Sequence, residues 1–158
     1  ATQVGPVISG VQRSRILGHI ENGIAEGAEL VVDGRDPGMD RGYYVGPTLL
    51  AGCTNSMSPV REEIFGPVVV VVPYDTDDEA IAIANDSDYG LFSYVFGGDT
   101  PAAFEVAKQV RSGRVGINSV QTHHETPFGG FKMSGIGRDG GTWGLDAYTE
   151  WQSIIWPS

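Results

Sequence analysis

The sequence predicts an α/β domain in which parallel strands alternate with helices. Three apolar segments have the composition of strands: residues 68–72, residues 91–96 and residues 115–118. Between them lie two helix start signals, Thr76 followed by three acidic residues and Thr100 followed by Pro101. Because short turns join these segments in the order strand, helix, strand, helix, strand, we expect parallel pairing through right-handed crossovers.

The segment before the valine run adds one helix and two strands. From residue 9 to residue 28 the apolar positions, among them Ile16 and Ile20, fall on one helical face, and Gln12 lies elsewhere on the surface. Residues 29–34 are typical of a short strand entering a turn. Residues 43–50 predict a strand that Gly-Pro interrupts.

Charge and cysteine content exclude several classes of partner. The 158 residues carry 10 basic and 20 acidic side chains, a net charge of −10. This balance argues against nucleic acid and against an anionic membrane surface as partners. No apolar run approaches the length of a membrane span, and the single cysteine, Cys53, fits a reducing compartment. We therefore expect a cytoplasmic location, and the start at Ala1 suggests numbering from inside a longer polypeptide.

The candidate binding element is the stretch 61–68, where two glutamates precede an aromatic residue and a Gly-Pro turn. The turn leads into the valine run, so Glu63 and Phe65 are predicted on a loop beside a rigid strand. A carboxylate can accept hydrogen bonds from vicinal hydroxyls, and a ring can lie against a flat heterocycle. The pair therefore suits a sugar-bearing cofactor; the alternative is a solvated Glu63 and a Phe65 in the core.

Three other motifs match functional patterns in part, but we assign no function to them. Residues 135–140 match a dinucleotide fingerprint by letter, but no strand pattern precedes them and the chain ends before the acidic partner would occur. His123 and His124 are adjacent, which points their side chains to opposite faces of a strand, and no further metal ligand completes a shell. Cys53 has no neighbouring histidine or helix start to activate it, so we expect a packed residue.

The last part of the chain predicts an assembly element. A short helix is expected around residues 143–148, followed by a strand over residues 148–156 that carries Trp151, Ile154 and Trp156. A terminal strand with exposed apolar side chains needs a neighbouring strand, and another chain is the expected neighbour.

Taken together, the motifs resemble the aldehyde dehydrogenase superfamily over essentially the whole chain. The elements that carry the resemblance occur in the order and approximate spacing of that family: Gly5-Pro6-Val7-Ile8-Ser9, residues 42–50, residues 61–68, Asn85-Asp86 with Tyr89-Gly90-Leu91, Gly116-Ile117-Asn118, residues 127–132 with Ser134-Gly135, and Gly144-Leu145 with Tyr148-Thr149-Glu150.

The resemblance implies a C-terminal portion of the enzyme: a partial Rossmann-like parallel sheet with flanking helices over residues 1–147, and an oligomerisation strand over residues 148–158. It implies that Glu63 hydrogen-bonds the nicotinamide ribose of NAD or NADP and that Phe65 packs near the nicotinamide. Phe128 is implied to line the aldehyde tunnel, with Leu91 close to the same site. The family is oligomeric, which implies a homodimer or homotetramer formed through the terminal strand.

The resemblance also implies that the reactive groups are absent from this chain. The family oxidises an aldehyde to a carboxylic acid through a thiohemiacetal on cysteine, and its nucleophilic cysteine, general-base glutamate and NAD domain are expected upstream of Ala1. No catalytic residue and no metal site are therefore predicted here. Two hypotheses follow: an inactive piece of an NAD(P)-dependent aldehyde dehydrogenase, or a stand-alone assembly domain that does no chemistry.

Overall fold

The computed structural model describes residues 4–157 and divides the chain into two compact units, Ala1–Asp75 and Thr76–Ser158. Residues 1–3 of the predicted catalytic portion and residue 158 of the predicted terminal strand lie outside the described residues. The elements are α1 (Gly10–Ala25), β1 (Glu29–Val32), β2 (Thr48–Ala51), α2 (Ser58–Arg61), β3 (Val68–Val70), α3 (Asp77–Asn85), β4 (Phe92–Val95), α4 (Thr100–Ala107), β5 (Arg114–Ile117) and two 3₁₀ helices, Lys132–Ser134 and Trp143–Tyr148.

The first unit packs α1 against a small mixed sheet of order β1-β2-β3. Strand β2 is its centre, antiparallel to β1 and parallel to β3. The predicted apolar face of α1 is confirmed, since Ile16 and Ile20 are fully buried. The buried apolar residues form one cluster: Ile16, Ile20, Ala28, Val45, Leu50, Cys53 and Met57.

Helix α1 begins at a side-chain cap and contains one glycine whose replacement should stabilise the helix. The Ser9 hydroxyl accepts a hydrogen bond from the Gln12 amide at 3.2 Å, which satisfies one of the free N–H groups of the first turn. Gly18 lies in the helix interior, and a Cβ there would meet nothing within 4 Å. Gly18→Ala is therefore expected to raise the free energy of unfolding by about 0.5–1 kcal/mol, because alanine loses less backbone entropy.

Chemical denaturation of the Gly18→Ala variant tests this expectation. Gly23→Ala is the matched control on the same helix, since its Cβ would lie 2.8 Å from Leu50 Cδ1 and 3.1 Å from Pro59 Cγ. The control should lower the midpoint of unfolding while Gly18→Ala raises it. Destabilisation by both substitutions would show that the backbone of Gly18 is not that of an open helix interior.

The second unit contains β4 and β5 in a two-stranded parallel sheet, with α4 between them in the chain. This confirms the predicted strand-helix-strand pairing for residues 92–117. The Thr76 cap is also confirmed, because its hydroxyl accepts from the Glu79 amide at 3.2 Å. The α4 cap predicted at Thr100 is wrong by one residue: Asp99 Oδ1 accepts from the Ala102 amide at 3.1 Å, and Thr100 is already helical.

The valine run does not take the place predicted for it. Strand β3 pairs with β2, and within residues 4–157 it shares no sheet with β4 or β5. It is also an edge strand, with Val69 58% exposed. A continuous apolar run predicts a strand but does not select its neighbour, which depends on residues distant in sequence. The α/β class with parallel pairing and flanking helices is confirmed.

The helices of the second unit are less buried than their apolar patterns predict. Among the described residues of α3, no side chain is fully buried, and in α4 only Ala103 is. Phe104, an aromatic residue in the middle of α4, is 52% exposed. The periodicity therefore identified helices correctly, but it did not show which of their faces this unit covers.

The final segment has no strand partner within the part of the chain that the structure describes. The short helix predicted around residues 143–148 is confirmed as a 3₁₀ helix. Residues 149–157 are exposed and carry no ladder, with Trp151 97% and Ile155 91% exposed. Pairing of this segment with a second chain stays a prediction. No helix in residues 4–157 combines the length and the apolarity that a membrane span requires.

The rejection of the glycine-rich phosphate cradle is supported by the backbone. Residues 135–140 follow the 3₁₀ helix Lys132–Ser134 rather than a strand, and no α-helix begins within them. Lys132 has a different task, since its Nζ donates to the carbonyl oxygens of Asn85 and Ser87, each at 2.7 Å. A cation at the end of α3 stabilises the helix carbonyls that lack partners.

Candidate functional site

The loop that carries Glu63 and Phe65 connects α2 to β3 in the first unit. Helix α2 ends at Arg61, and the backbone turns extended at Glu62. Gly66 then allows the chain to pass close to the core, because a Cβ there would lie 2.6 Å from Ile16 Cδ1, on a side chain that is fully buried. The loop is thus pressed against packed structure on one side and open on the other.

Phe65 has a strained backbone and a displayed ring. Its φ is 51°, in the left-handed region that costs a non-glycine residue on the order of 1–3 kcal/mol. Its side chain is 70% exposed, so the free energy of burying the ring does not offset that strain within this chain. The alternative that Phe65 is a core residue is wrong. Strain kept at an exposed aromatic residue is typical of a binding position.

Gln12 holds this loop in place. Its side-chain Nε2 donates to the carbonyl oxygens of Ile64 at 2.9 Å and Phe65 at 3.2 Å. The sequence predicts Gln12 on the surface of α1 and does not reveal this contact. No sequence signal could have found the contact, because it joins residues 52 positions apart.

Glu63 carries a free carboxylate two positions before Phe65 on the same loop. The residue is exposed, and its side chain makes no hydrogen bond or ion pair with the other described residues. A carboxylate without partners retains all of its acceptor positions for a ligand. Glu63 and Phe65 therefore offer an acceptor and a flat apolar face two positions apart on one constrained loop.

The two other predicted site residues, Leu91 and Phe128, lie in the second unit and share one neighbour. The carbonyl oxygen of Leu91 accepts from the Arg114 amide at 3.3 Å, and the Arg114 guanidinium lies 5.4 Å from the centroid of the Phe128 ring. Leu91 and Phe128 are each 42% exposed. Phe128 is fixed further by reciprocal backbone hydrogen bonds of 2.7 Å with Asp139.

A cavity of about 320 Å³ opens beside Phe128. This volume lies at the lower end of the range for small-molecule sites. The residues that line it are Arg114, Thr122, His123, His124, Thr126, Phe128, Asp139 and Gly140. The histidines therefore lie in a cavity wall, and no group of three or more His, Cys, Asp or Glu side chains among residues 4–157 could hold a metal ion.

Cys53 and Asn118 both serve the fold. Cys53 is 2% exposed within the core, and burial raises the pKa of its thiol, which keeps it neutral and unreactive. The prediction of a packed cysteine is confirmed. Asn118 follows β5, where parallel sheets place ligands, but its amide bonds to Gly97 twice at 2.9 Å and so joins the ends of β4 and β5.

Comparison with known proteins identifies a consistent set of relatives. Residues 1–154 match the model of the aldehyde dehydrogenase family. A protein of Staphylococcus saprophyticus subsp. saprophyticus, named as an aldehyde dehydrogenase, is 45% identical over 155 residues, which are 97% of this chain and 33% of that protein.

Solved structures give the same result. The structure of Mycobacterium tuberculosis aldehyde dehydrogenase complexed with NAD+ matches with 47% identity and a TM-score of 0.94, over 99% of this chain and 33% of that one. A mutant of aldehyde dehydrogenase C from Pseudomonas syringae, complexed with NAD+ and octanal, matches with 44% identity and a TM-score of 0.90, over 94% of this chain and 31% of that one.

The coverage corrects one expectation. The chain spans about one third of the length of these relatives, so the interpretation as a segment of the enzyme stands. The narrower prediction that the segment is the C-terminal portion is not supported, and we do not retain it. The order of the motifs relates the segments of this chain to one another. It does not show how much of the enzyme lies before or after them.

Proposed function

The chain belongs to the aldehyde dehydrogenase family, and on that premise we propose that it is part of an enzyme that oxidises an aldehyde to a carboxylic acid with NAD+ as acceptor. Relatives of 47% and 44% identity are described as complexes with NAD+, and one of them also with octanal. A cytoplasmic location stays a prediction.

The observation that carries this proposal is the constrained display of Glu63 beside Phe65. Glu63 and Phe65 would hold the nicotinamide end of NAD+, which when bound would supply the hydride acceptor that oxidation of an aldehyde requires. The Glu63 carboxylate would accept hydrogen bonds from the two hydroxyls of the ribose, and the Phe65 ring would pack against the flat nicotinamide. The free carboxylate and the 70% exposed ring fit such a group, since neither is engaged within residues 4–157.

Gln12 gives this site its rigidity. Because it bonds the carbonyl oxygens of Ile64 and Phe65, the loop does not need the cofactor to adopt its strained conformation. A site that is already ordered loses less conformational entropy when the ligand binds, and it therefore binds more tightly. Leu91 and Phe128 are proposed as the substrate-binding residues, whose apolar side chains would favour the carbon chain or ring of the aldehyde over water.

This chain supplies no nucleophile for the reaction. Cys53, its single cysteine, is enclosed in the core with a raised pKa. We propose that the nucleophilic cysteine, the general-base glutamate and most of the cofactor site belong to the two thirds of the enzyme that this chain does not span. The exposed apolar residues of segment 149–157 support a homo-oligomer assembled through that segment.

Activity assays on two forms of the protein test the proposal. The purified 158-residue chain should produce no aldehyde-dependent NADH, because it carries no activated thiol. The full-length polypeptide that contains this sequence should produce NADH with aldehyde and NAD+. Turnover by the short chain would contradict its assignment as an incomplete part, and a full-length form without aldehyde-dependent turnover would contradict the enzyme itself and favour the stand-alone assembly domain.

A further inference from the structure

Arg114 is the most connected side chain around the cavity beside Phe128, and neither its sequence context nor the site described above gives it a role. It is the first residue of β5 and is half-buried. Its backbone amide bonds Leu91, while its guanidinium contacts both a loop and two aromatic rings. One residue therefore joins the strand, the loop and the ring that together bound the cavity.

The loop contacts of Arg114 are hydrogen bonds from a single nitrogen. Nη2 donates to Thr126 Oγ1 at 2.8 Å and to the carbonyl oxygen of His123 at 3.1 Å. Thr126 Oγ1 in turn donates to the same His123 oxygen at 2.8 Å. Residues 119–127 form no helix or strand, so these bonds fix a loop that lacks a ladder of its own.

The ring contacts place the planar guanidinium between two aromatic side chains. Its central carbon lies 5.4 Å from the Phe128 centroid and 5.7 Å from the Phe92 centroid. Both distances are within the range of cation–π attraction, which is stronger where water is excluded. Since Phe92 belongs to β4, the guanidinium ties the Phe128 ring to the sheet.

Arg114 also lines two cavities. The cavity of about 320 Å³ beside Phe128 and a neighbouring one of about 310 Å³ beside Phe92 share Arg114, His123 and Thr126 as wall residues. Removal of the guanidinium would remove its hydrogen bonds to the loop and its contact with the Phe128 ring. Arg114 therefore contacts both the loop and the ring that line the cavity beside Phe128.

We propose that Arg114 is a positioning residue that holds Phe128 and loop 123–126 as one wall of the aldehyde site and thereby gives the enzyme a preference for aldehydes with a flat apolar body. This inference rests on the proposed function, in which Phe128 contacts substrate. Arg114 acts through Phe128 and does not itself touch the reacting carbon. A flat ring can pack against the Phe128 ring in the cavity of about 320 Å³, whereas a two-carbon aldehyde is too small to depend on that wall.

The test measures KM and kcat of the full-length enzyme for benzaldehyde and for acetaldehyde. Arg114→Met should raise KM for benzaldehyde by about five- to tenfold, with kcat and the KM for acetaldehyde and NAD+ nearly unchanged. Arg114→Lys should give an intermediate effect, because an ammonium can still lie over a ring but cannot form the planar fork. Arg111→Lys is the matched control, since its side chain takes no part in the cavity wall.

Each outcome decides the proposal. Wild-type KM values in both Arg114 variants would overturn it, and so would an equal loss of kcat with both aldehydes, which a merely structural role would produce. Phe128→Ala separates this inference from the proposed function. If Phe128→Ala shifts the aldehyde preference and the Arg114 variants do not, only the role of Arg114 fails; if Phe128→Ala shifts nothing, the substrate assignment itself fails.

Discussion

Replacement of Gly113 by alanine is expected to be the most destabilising single methyl addition in the second unit. The new Cβ would overlap the carbonyl oxygen of Gly129 and lie 2.7 Å from its carbonyl carbon and 3.3 Å from Gly130 Cα. All three atoms are backbone, so no side-chain rotation can relieve the collision. Either residues 129–130 or the entry to β5 at Arg114 must move. The Gly130 carbonyl oxygen accepts from Arg138 Nη1 at 2.9 Å, and the Arg114 amide donates to the Leu91 carbonyl oxygen at 3.3 Å.

We expect Gly113→Ala to cost more than about 4 kcal/mol, the range in which single substitutions usually unfold marginal domains. The measurement is the thermal unfolding midpoint of the purified protein, followed by circular dichroism, together with its soluble yield. Gly98→Ala is the matched control in the same unit, because nothing lies within 4 Å of its Cβ. A Gly113→Ala protein that melts like the wild type would show that the close approach of residue 113 to Gly129 is not present in solution.

The largest functional effect is expected from Glu63→Gln in the full-length enzyme. This change preserves shape but removes the charge with which the carboxylate would hold the ribose hydroxyls. A hydrogen bond to a charged group is worth about 1.5–3 kcal/mol, so turnover should fall by roughly 10- to 100-fold. The KM for NAD+ should change less, because most contacts to the cofactor are proposed outside this chain.

Glu62→Gln is the control for this prediction, since it removes the same charge one position earlier, at an equally exposed residue where α2 ends. Steady-state kinetics with one aldehyde and varied NAD+ separates the two variants. The unfolding midpoint should be unchanged in Glu63→Gln, because the side chain has no partner among the described residues. Equal turnover in both variants would remove Glu63 from the cofactor site.

The local features of the fold were predictable because their physical causes lie within a few residues. The predicted cap at Thr76 satisfies an amide three positions ahead. The one-residue error at α4 has the same origin, since Asp99 and Thr100 are adjacent and both can cap a helix. Intrinsic capping preference does not distinguish Asp99 from Thr100, so packing determined that Asp99 caps α4.

The candidate site was predictable in its residues but not in its construction. Adjacent carboxylate and aromatic residues before a Gly-Pro turn indicated a binding loop at Glu63 and Phe65. The left-handed backbone of Phe65 and the bonds from Gln12 depend on the position of α1 against that loop. The role of Arg114 could not be predicted either, because an arginine at the start of a strand does not indicate which aromatic rings will pack against it.

By itself, the sequence determined α1, α3, α4, the five strands, the inert cysteine, the motifs of the aldehyde dehydrogenase family and the loop that carries Glu63, but it missed α2 and predicted a terminal strand that the described residues do not form. Only the tertiary structure decided that β3 pairs with β2, that Gln12 braces the binding loop and that Arg114 ties Phe128 to the sheet. The physical reason is the range of the interactions. Caps and turns close hydrogen bonds between near neighbours, whereas strand partners and cavity walls form between residues that only the folded chain brings together.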